Sequence, residues 1–159
     1  MIIGVIGGET SSPGEGRAAY AVGFEAARRG HTLICGGRDG VMREACRGAR
    51  DAGGHTIGIL PGEDRSGMNE YVEFPIVTGM GFARNTIIAR TADALVAVGG
   101  RYGTLSEIAF ALICEKPVAG LGSWELVSPG GEAAPVVPCG DAAEAIDYCE
   151  RNARDQGGM

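Results

Sequence analysis

The chain has 159 residues, the length of a single domain, and enough of them to bury about 70% of the surface that its unfolded form would expose. A net charge of −6 argues against nucleic acid as a partner, because binding to DNA or RNA needs a basic stripe. No segment approaches the roughly 18 apolar residues of a membrane span, and the first residues do not resemble a signal peptide, so we expect no membrane partner and a cytoplasmic protein.

Apolar runs alternate along the chain with longer segments of helical period, which predicts repeated βα units and a sheet covered by helices on both faces. Strands are predicted at Ile2–Ile6, Thr32–Cys35, Thr56–Leu60, Val72–Val77, Ala94–Val98, Pro117–Leu121 and, as a short seventh, Pro135–Val137. Helices are predicted at Gly14–Arg29, Val41–Ala52, around Ile87 and Ile88, at Thr104–Glu115 and at Ala142–Arg151. We therefore expect one α/β domain over residues 1–155, with a mainly parallel sheet of six or seven strands and a flexible tail at 156–159.

The same glycine-rich pattern, GGRxGxxxE, occurs twice, from Gly36 to Glu44 and from Gly99 to Glu107, each time after a short apolar run. The first predicted strand also ends in a glycine pair. Glycine lets a ligand approach the main chain closely, and amide N–H groups at a helix start hold an anion with help from the helix dipole. We therefore predict a phosphate-bearing ligand across the carboxyl ends of parallel strands. Its candidate glycine contacts are Gly7, Gly8, Gly36, Gly37, Gly40, Gly99, Gly100 and Gly103.

Polar side chains in and after the second glycine turn are candidates for chemistry. Glu107 lies three residues after Thr104, so the two side chains share a helix face. A carboxylate there could orient water, hold a ribose hydroxyl or stabilise positive charge on a sugar ring. The alternative is a capping box, in which Thr104 and Glu107 satisfy each other's backbone N–H groups. Arg101, inside the turn, is a further candidate for contact with phosphate.

Arg84 and Asn85 lie between a predicted strand and a predicted helix, at the same end of the sheet. Arginine in the first turn of a helix is unfavourable to the helix dipole. Its presence therefore favours an anionic partner, either a phosphate or a carboxylate such as Glu107, and the alternative is a plain surface arginine.

Several familiar cofactor sites are disfavoured by the sequence. The turn after the first strand lacks the GxGxxG spacing of a dinucleotide site, and no GxxxxGK[ST] motif is present. The single lysine, Lys116, falls at the far end of a helix, which argues against a pyridoxal phosphate Schiff base. Five cysteines without CxxC spacing indicate no metal site.

The second glycine turn and the upstream Arg84-Asn85 pair resemble the corresponding motifs of the LOG (LONELY GUY) family, historically labelled lysine decarboxylase-like, and the resemblance spans most of the chain. It implies a Rossmann-like, doubly wound domain. Enzymes of that family hydrolyse the N-glycosidic bond of nucleoside 5′-monophosphates. Carried over by motif, Arg84 and Glu107 would be the catalytic pair, and the 5′-phosphate would be held by Gly99, Gly100, Gly103 and Thr104.

Two departures from the LOG motif favour a second interpretation. Val98 stands where the motif has proline, and the glycine loop is one residue longer. These features look closer to a short-chain branch of the superfamily that includes molybdenum cofactor carrier proteins. The resemblance thus implies either a phosphoribohydrolase-like enzyme or a non-catalytic carrier of a phosphorylated cofactor, with no other cofactor required. It also implies a homodimer or homotetramer, and it does not imply a pyridoxal-dependent decarboxylase.

Overall fold

Seven strands make up the sheet of the computed structural model, which describes residues 1–153. They are β1 (Ile2–Gly7), β2 (Thr32–Cys35), β3 (Thr56–Leu60), β4 (Phe74–Val77), β5 (Ala94–Val98), β6 (Val118–Leu121) and β7 (Val136–Pro138). The helices are α1 (Pro13–Arg28), α2 (Val41–Asp51), α3 (Asn85–Thr91), α4 (Tyr102–Ile113) and α5 (Ala142–Asn152), and a 3₁₀ turn, Gly81–Arg84, precedes α3. The tail expected at 156–159 lies outside the described residues.

The strand order is β4-β3-β2-β1-β5-β6-β7, and every neighbouring pair is parallel. From β1, the strands β2, β3 and β4 follow one another to one edge of the sheet. The strands β5, β6 and β7 then lie on the other side of β1 and reach the opposite edge. The order therefore reverses between β1 and β5. In open parallel sheets, ligands bind outside the carboxyl ends of the strands at such a reversal.

Helices cover both faces of the sheet, as the predicted βα alternation requires. Side chains of α1, α2 and α5 pack in one apolar cluster, and those of α3 and α4 pack in another on the opposite face. The central strands are continuous apolar runs because both of their faces are buried. The α/β class and the doubly wound parallel sheet are confirmed, with seven strands.

The start of α1 is specified by local chemistry. Ser12 caps the helix through a 3.2 Å hydrogen bond from the Glu15 amide to its hydroxyl, and the Glu15 carboxylate accepts a 2.8 Å bond from the Ser12 amide. Pro13 occupies the first helical position, where its missing N–H costs nothing. This reciprocal cap holds the turn after β1 beside the carboxyl ends of the strands.

Two glycines bring α1 unusually close to α2. A Cβ atom on Gly23 would lie 1.9 Å from the carbonyl oxygen of Ala45, and one on Gly48 would lie 2.0 Å from that of Tyr20. Glycine in a helix interior lowers stability by about 1 kcal/mol relative to alanine. Here the close packing of the two helices explains its presence.

Within residues 1–153, no helix combines the length and the apolar character that crossing a membrane would need.

Candidate functional site

Three chain segments, together with Met42 of α2, line a cavity of about 230 Å³ at the reversal of strand order. The turn after β1 supplies one wall, the 3₁₀ turn and the start of α3 supply the second, and the first two turns of α4 supply the third. The lining residues are Gly7, Gly8, Glu9, Thr10, Met42, Phe82, Arg84, Asn85, Arg101, Gly103, Thr104 and Glu107. Two surface hollows of about 460 and 470 Å³ are larger, but none of the predicted chemical side chains lines them. The smaller cavity is therefore the candidate site.

The guanidinium of Arg84 is buried and held by uncharged acceptors. Its Nε donates to the carbonyl oxygen of Ile59 at 2.8 Å, its Nη2 donates to that of Gly36 at 3.2 Å, and its Nη1 donates to Asn85 Oδ1. Burial lowers the pKa of Arg84, and the nearby Glu107 carboxyl opposes that shift. Among residues 1–153, no carboxylate forms an ion pair with this guanidinium. Its positive charge is therefore available to an anionic ligand in the cavity.

Asn85 links Arg84 to the start of α4. Its side chain accepts a hydrogen bond from Arg84, and its Nδ2 donates to Ser106 Oγ at 3.1 Å. The Ser106 hydroxyl in turn donates to the carbonyl oxygen of Gly103 at 2.6 Å. This chain of bonds fixes two walls of the cavity relative to each other.

The Glu107 carboxyl lies on the cavity wall and is only 6% exposed. Burial raises its pKa to about 8, although the positive charge of Arg84 acts in the opposite direction. Within the described part of the chain, no group forms a hydrogen bond or an ion pair with this carboxyl. Burial of the Glu107 carboxyl therefore favours its protonated form near neutral pH.

The start of α4 differs from the capping box considered above. Arg101 is the N-cap residue, and its side chain makes no cap. The helix begins at Tyr102, two residues earlier than expected, so Thr104 lies inside the first turn. The first intrahelical bond runs from the Leu105 amide to the Arg101 carbonyl oxygen at 2.9 Å. Because Thr104 is not the N-cap, the capping-box alternative is wrong. The amides that precede Leu105 are the open donors of a helix start, and they lie beside the cavity.

The glycines of the first turn do not line the cavity, and they instead pack against residues around it. Gly36 makes room for Arg84, since a Cβ atom there would lie 2.6 Å from Arg84 Nη2. A Cβ atom on Gly37 would lie 2.6 Å from a Leu60 methyl carbon. Gly40 lies against the turn after β1, and the Val41 amide donates to the Gly8 carbonyl oxygen at 3.0 Å.

Two glycines of the second turn also lie behind the cavity wall. A Cβ atom on Gly99 would lie 2.1 Å from the Glu15 carboxylate, and one on Gly100 would lie 2.4 Å from Thr104 Cβ. These two glycines therefore let the α1 cap and Thr104 pack closely. Of the residues predicted from sequence, those that line the cavity are Gly7, Gly8, Arg84, Asn85, Arg101, Gly103, Thr104 and Glu107.

Four further lining residues were missed by the sequence reasoning: Glu9, Thr10, Met42 and Phe82. Glu9 and Thr10 directly follow the Gly7-Gly8 pair, so their position was a usable signal. The Glu9 carboxylate accepts a 2.8 Å bond from Arg38 Nη2, which ties the first glycine turn to this wall. Met42 and Phe82 are apolar residues that no polar motif could have revealed.

The model of the SLOG cluster4 family matches residues 1–143. The chain belongs to this family. An uncharacterized relative from Archaeoglobus fulgidus is 47% identical over 121 residues, which cover 76% of this chain and 80% of that protein. A cytokinin riboside 5′-monophosphate phosphoribohydrolase of Oryza sativa subsp. japonica is 39% identical over 95 residues. That match covers 57% of this chain and only 39% of the rice enzyme.

Solved structures similar to this SLOG family member cover nearly its whole length. The molybdenum cofactor binding protein of Rippkaea orientalis superposes with a TM-score of 0.85 at 37% identity, over 94% of this chain and 95% of that chain. The molybdenum cofactor carrier protein of Chlamydomonas reinhardtii superposes with a TM-score of 0.81 at 39% identity, over 94% and 96% of the two chains. Together with the LOG relatives, they confirm the predicted LOG-like Rossmann superfamily.

Proposed function

We propose that the cavity binds a small phosphorylated, nucleotide-like molecule. The observation that carries this proposal is the convergence of the buried Arg84 guanidinium with the open amides of the α4 start on one cavity. Arg84 has only uncharged acceptors, so a phosphate would supply the missing negative charge. Thr104 and Gly103 would contact the phosphate, and Arg101 would approach it from the cavity mouth.

Hydrolysis of a nucleoside 5′-monophosphate is the catalytic form of this proposal. With the phosphate held at the α4 start, the Glu107 carboxylate would stabilise positive charge on the ribose, or align water, as the base departs. Arg84 would keep the phosphate and ribose in place for that step. The LOG relatives, whose names specify a phosphoribohydrolase activity, support this form. This chain spans about two fifths of the length of those enzymes.

Carriage of a phosphorylated cofactor without turnover is the second form. It is supported by the carrier and binding proteins that match this chain over almost its full length and theirs. The raised pKa of Glu107 also favours it, because a protonated carboxyl cannot stabilise a cationic sugar. In this form a cofactor such as molybdenum cofactor is the cargo, and its phosphate would occupy the place described above.

One experiment separates the two forms. Purified protein is incubated with each common nucleoside 5′-monophosphate at pH 8.5, where Glu107 is largely ionised, and free base is measured by chromatography. Base release that is lost in Glu107→Gln supports the hydrolase. Binding by calorimetry without base release, unchanged in Glu107→Gln, supports the carrier. If neither the nucleotides nor ribose 5-phosphate bind, the proposed phosphate site is wrong.

We propose a homodimer or homotetramer for the assembled protein. Support comes from the outer face of α4, where Phe110 is 36% exposed and Ile113 is 72% exposed. Burying such side chains between subunits would gain about 25 cal/mol for each Å² removed from water. A monomeric mass by light scattering would contradict this assembly. The cytoplasmic location expected from the sequence stays a prediction.

A further inference from the structure

Phe82 is the most exposed large apolar side chain on the cavity wall. It is 82% exposed, yet it lines the same cavity as Arg84 and Thr104. Its ring lies over the start of α4, where a Cβ atom on Gly103 would be 4.0 Å from Phe82 Cε1. Single exposed apolar residues are common on protein surfaces. This one differs because it stands at the mouth of a cavity lined with polar groups.

The backbone that carries Phe82 is held on both sides. Before it, the Gly81 amide donates to the Pro61 carbonyl oxygen at 2.9 Å, and Gly81 itself has a φ of +57°. After it, the Ala83 amide donates to the Met80 carbonyl oxygen at 3.2 Å, and Arg84 is anchored by its three hydrogen bonds. The turn therefore holds the Phe82 backbone in place, so only its side chain has to be ordered when a ligand binds.

The size of the cavity indicates which part of a ligand reaches Phe82. Pockets that hold a whole small molecule usually measure about 300–1,000 Å³. The cavity here measures about 230 Å³, and the groups in it that can donate to a phosphate, including Arg84 and the start of α4, lie on two of its walls, while Glu9 and Thr10 lie on the turn after β1. A phosphorylated ligand bound there by its phosphate would extend to the mouth, where the Phe82 ring stands.

We infer that Phe82 forms a stacking surface for the planar heterocycle of the phosphorylated ligand. This inference rests on the proposed function and names the chemical class of the other end of the ligand. Stacking on an aromatic side chain accepts any nucleobase, because every base has a π-face. Replacing an aromatic partner by alanine weakens base binding by about 5- to 150-fold.

Tyr102 is a poorer choice for this role although it is 81% exposed. Its side chain does not line the cavity, and its ring lies tilted toward Trp124 with 6.2 Å between centroids. Phe82 has no such aromatic neighbour among residues 1–153. Its ring face is therefore the one that a ligand at the cavity mouth would meet.

The test compares two probes that share a phosphate and differ in the ring. Affinities for adenosine 5′-monophosphate and ribose 5-phosphate are measured by calorimetry in the Glu107→Gln background, so that neither probe is consumed. Phe82→Ala should weaken binding of the nucleotide about 5- to 150-fold and change that of the sugar phosphate less than twofold. Phe82→Trp should restore nucleotide binding. Phe74→Ala, which removes a 52% exposed phenyl ring from the edge strand, is the matched control and should change neither affinity.

Each other outcome overturns the inference in a recognisable way. If Phe82→Ala leaves nucleotide binding unchanged, the ring makes no contact with the heterocycle. If it weakens both probes equally, Phe82 has a structural role. If light scattering shows that Phe82→Ala alters the subunit count, a second copy of the chain covers the ring. If the parent protein binds neither probe, the proposed function itself fails, and the inference fails with it.

Discussion

Gly36 lies directly against the guanidinium of Arg84. The Gly36 carbonyl oxygen accepts a 3.2 Å hydrogen bond from Arg84 Nη2, and a Cβ atom on Gly36 would lie 2.6 Å from that nitrogen and 2.8 Å from Met42 Sδ. Both of these side chains line the cavity. The first glycine turn therefore acts on the site through the position of Arg84 and not through contact with the cavity.

Gly36→Ala should consequently reduce ligand affinity as well as stability. The added methyl group displaces Arg84 or Met42, and overpacking of a filled interior costs about 1–3 kcal/mol. We expect affinity for adenosine 5′-monophosphate to fall at least tenfold, as measured by calorimetry.

Gly14→Ala is the matched control for Gly36→Ala, because the nearest atoms to a Cβ atom on Gly14 are 3.9 Å away. It should leave affinity unchanged. Full affinity in a folded Gly36→Ala protein would show that the position of Arg84 does not matter for binding.

The buried Glu107 carboxyl should make stability depend on pH. Its pKa is raised to about 8 in the folded protein from 4.5, so between these values the folded state holds a proton that the unfolded state has lost. The free energy of unfolding therefore decreases as pH rises through this range. Glu107→Gln removes the effect, and at pH 8.5 the variant should be more stable than the parent by on the order of 5 kcal/mol.

Urea unfolding at pH 5 and pH 8.5 measures this difference for Glu107→Gln. At pH 5 the two proteins should have similar stability, because Glu107 is protonated and resembles glutamine. Glu125→Gln, at an exposed position after β6, should show the same pH dependence as the parent. Equal slopes for the parent and Glu107→Gln would mean that Glu107 ionises normally in the folded protein.

The pH dependence of catalysis tests the protonation state of Glu107 independently. If the ionised form stabilises the ribose cation, kcat/KM for base release should rise with pH and level off above about 8, the pKa of Glu107 in the free protein. Initial rates between pH 6 and pH 9.5 test this. A rate that falls over that interval would show that the protonated carboxyl is the active form, and then Glu107 would act as an acid.

Much of the fold could be predicted because the strands are uninterrupted apolar runs. The bounds of β2, β3 and β5 agree with the prediction, and the other strands differ by one or two residues. Runs buried on both faces have a clear sequence signature, which helices with small or polar side chains lack. The sequence also indicated that Arg84 and Glu107 each lie in a segment that follows a strand of a parallel sheet, but it did not show how Arg84, which follows the edge strand β4, reaches the cavity beside β5.

The repeated GGRxGxxxE pattern gave the least reliable part of the site prediction. It made two turns look equivalent, but in the first turn Gly36 and Gly40 accommodate neighbouring groups and do not line the cavity. Which atoms fill the space beside a glycine is set by long-range packing, here by Arg84 from a segment 48 residues away. The start of α4 gave no capping signal in the sequence, because its N-cap residue, Arg101, makes no side-chain cap.

Asn85→Asp should abolish much of the phosphate affinity. The new carboxylate would lie in hydrogen-bond contact with Arg84 Nη1, so it would neutralise the guanidinium and repel an anionic ligand. We expect affinity for ribose 5-phosphate to fall at least tenfold in calorimetry at low salt. Asn152→Asp, on the exposed side of α5, makes the same change in net charge and should have no effect. An equal loss in both variants would point to overall charge and not to Arg84.

The close crossing of α1 and α2 gives a prediction for stability alone. Gly23→Ala improves helix propensity by about 1 kcal/mol, but its Cβ atom would lie 1.9 Å from the Ala45 carbonyl oxygen, so the two helices must separate. The clash outweighs the gain, because backbone atoms cannot move aside as a flexible side chain can. We expect the free energy of unfolding, measured in urea, to fall by about 1–3 kcal/mol. Gly16→Ala, in the same helix but with its nearest atom 3.6 Å away, should be neutral or slightly stabilising. A Gly23→Ala protein as stable as Gly16→Ala would mean that the helices do not approach this closely.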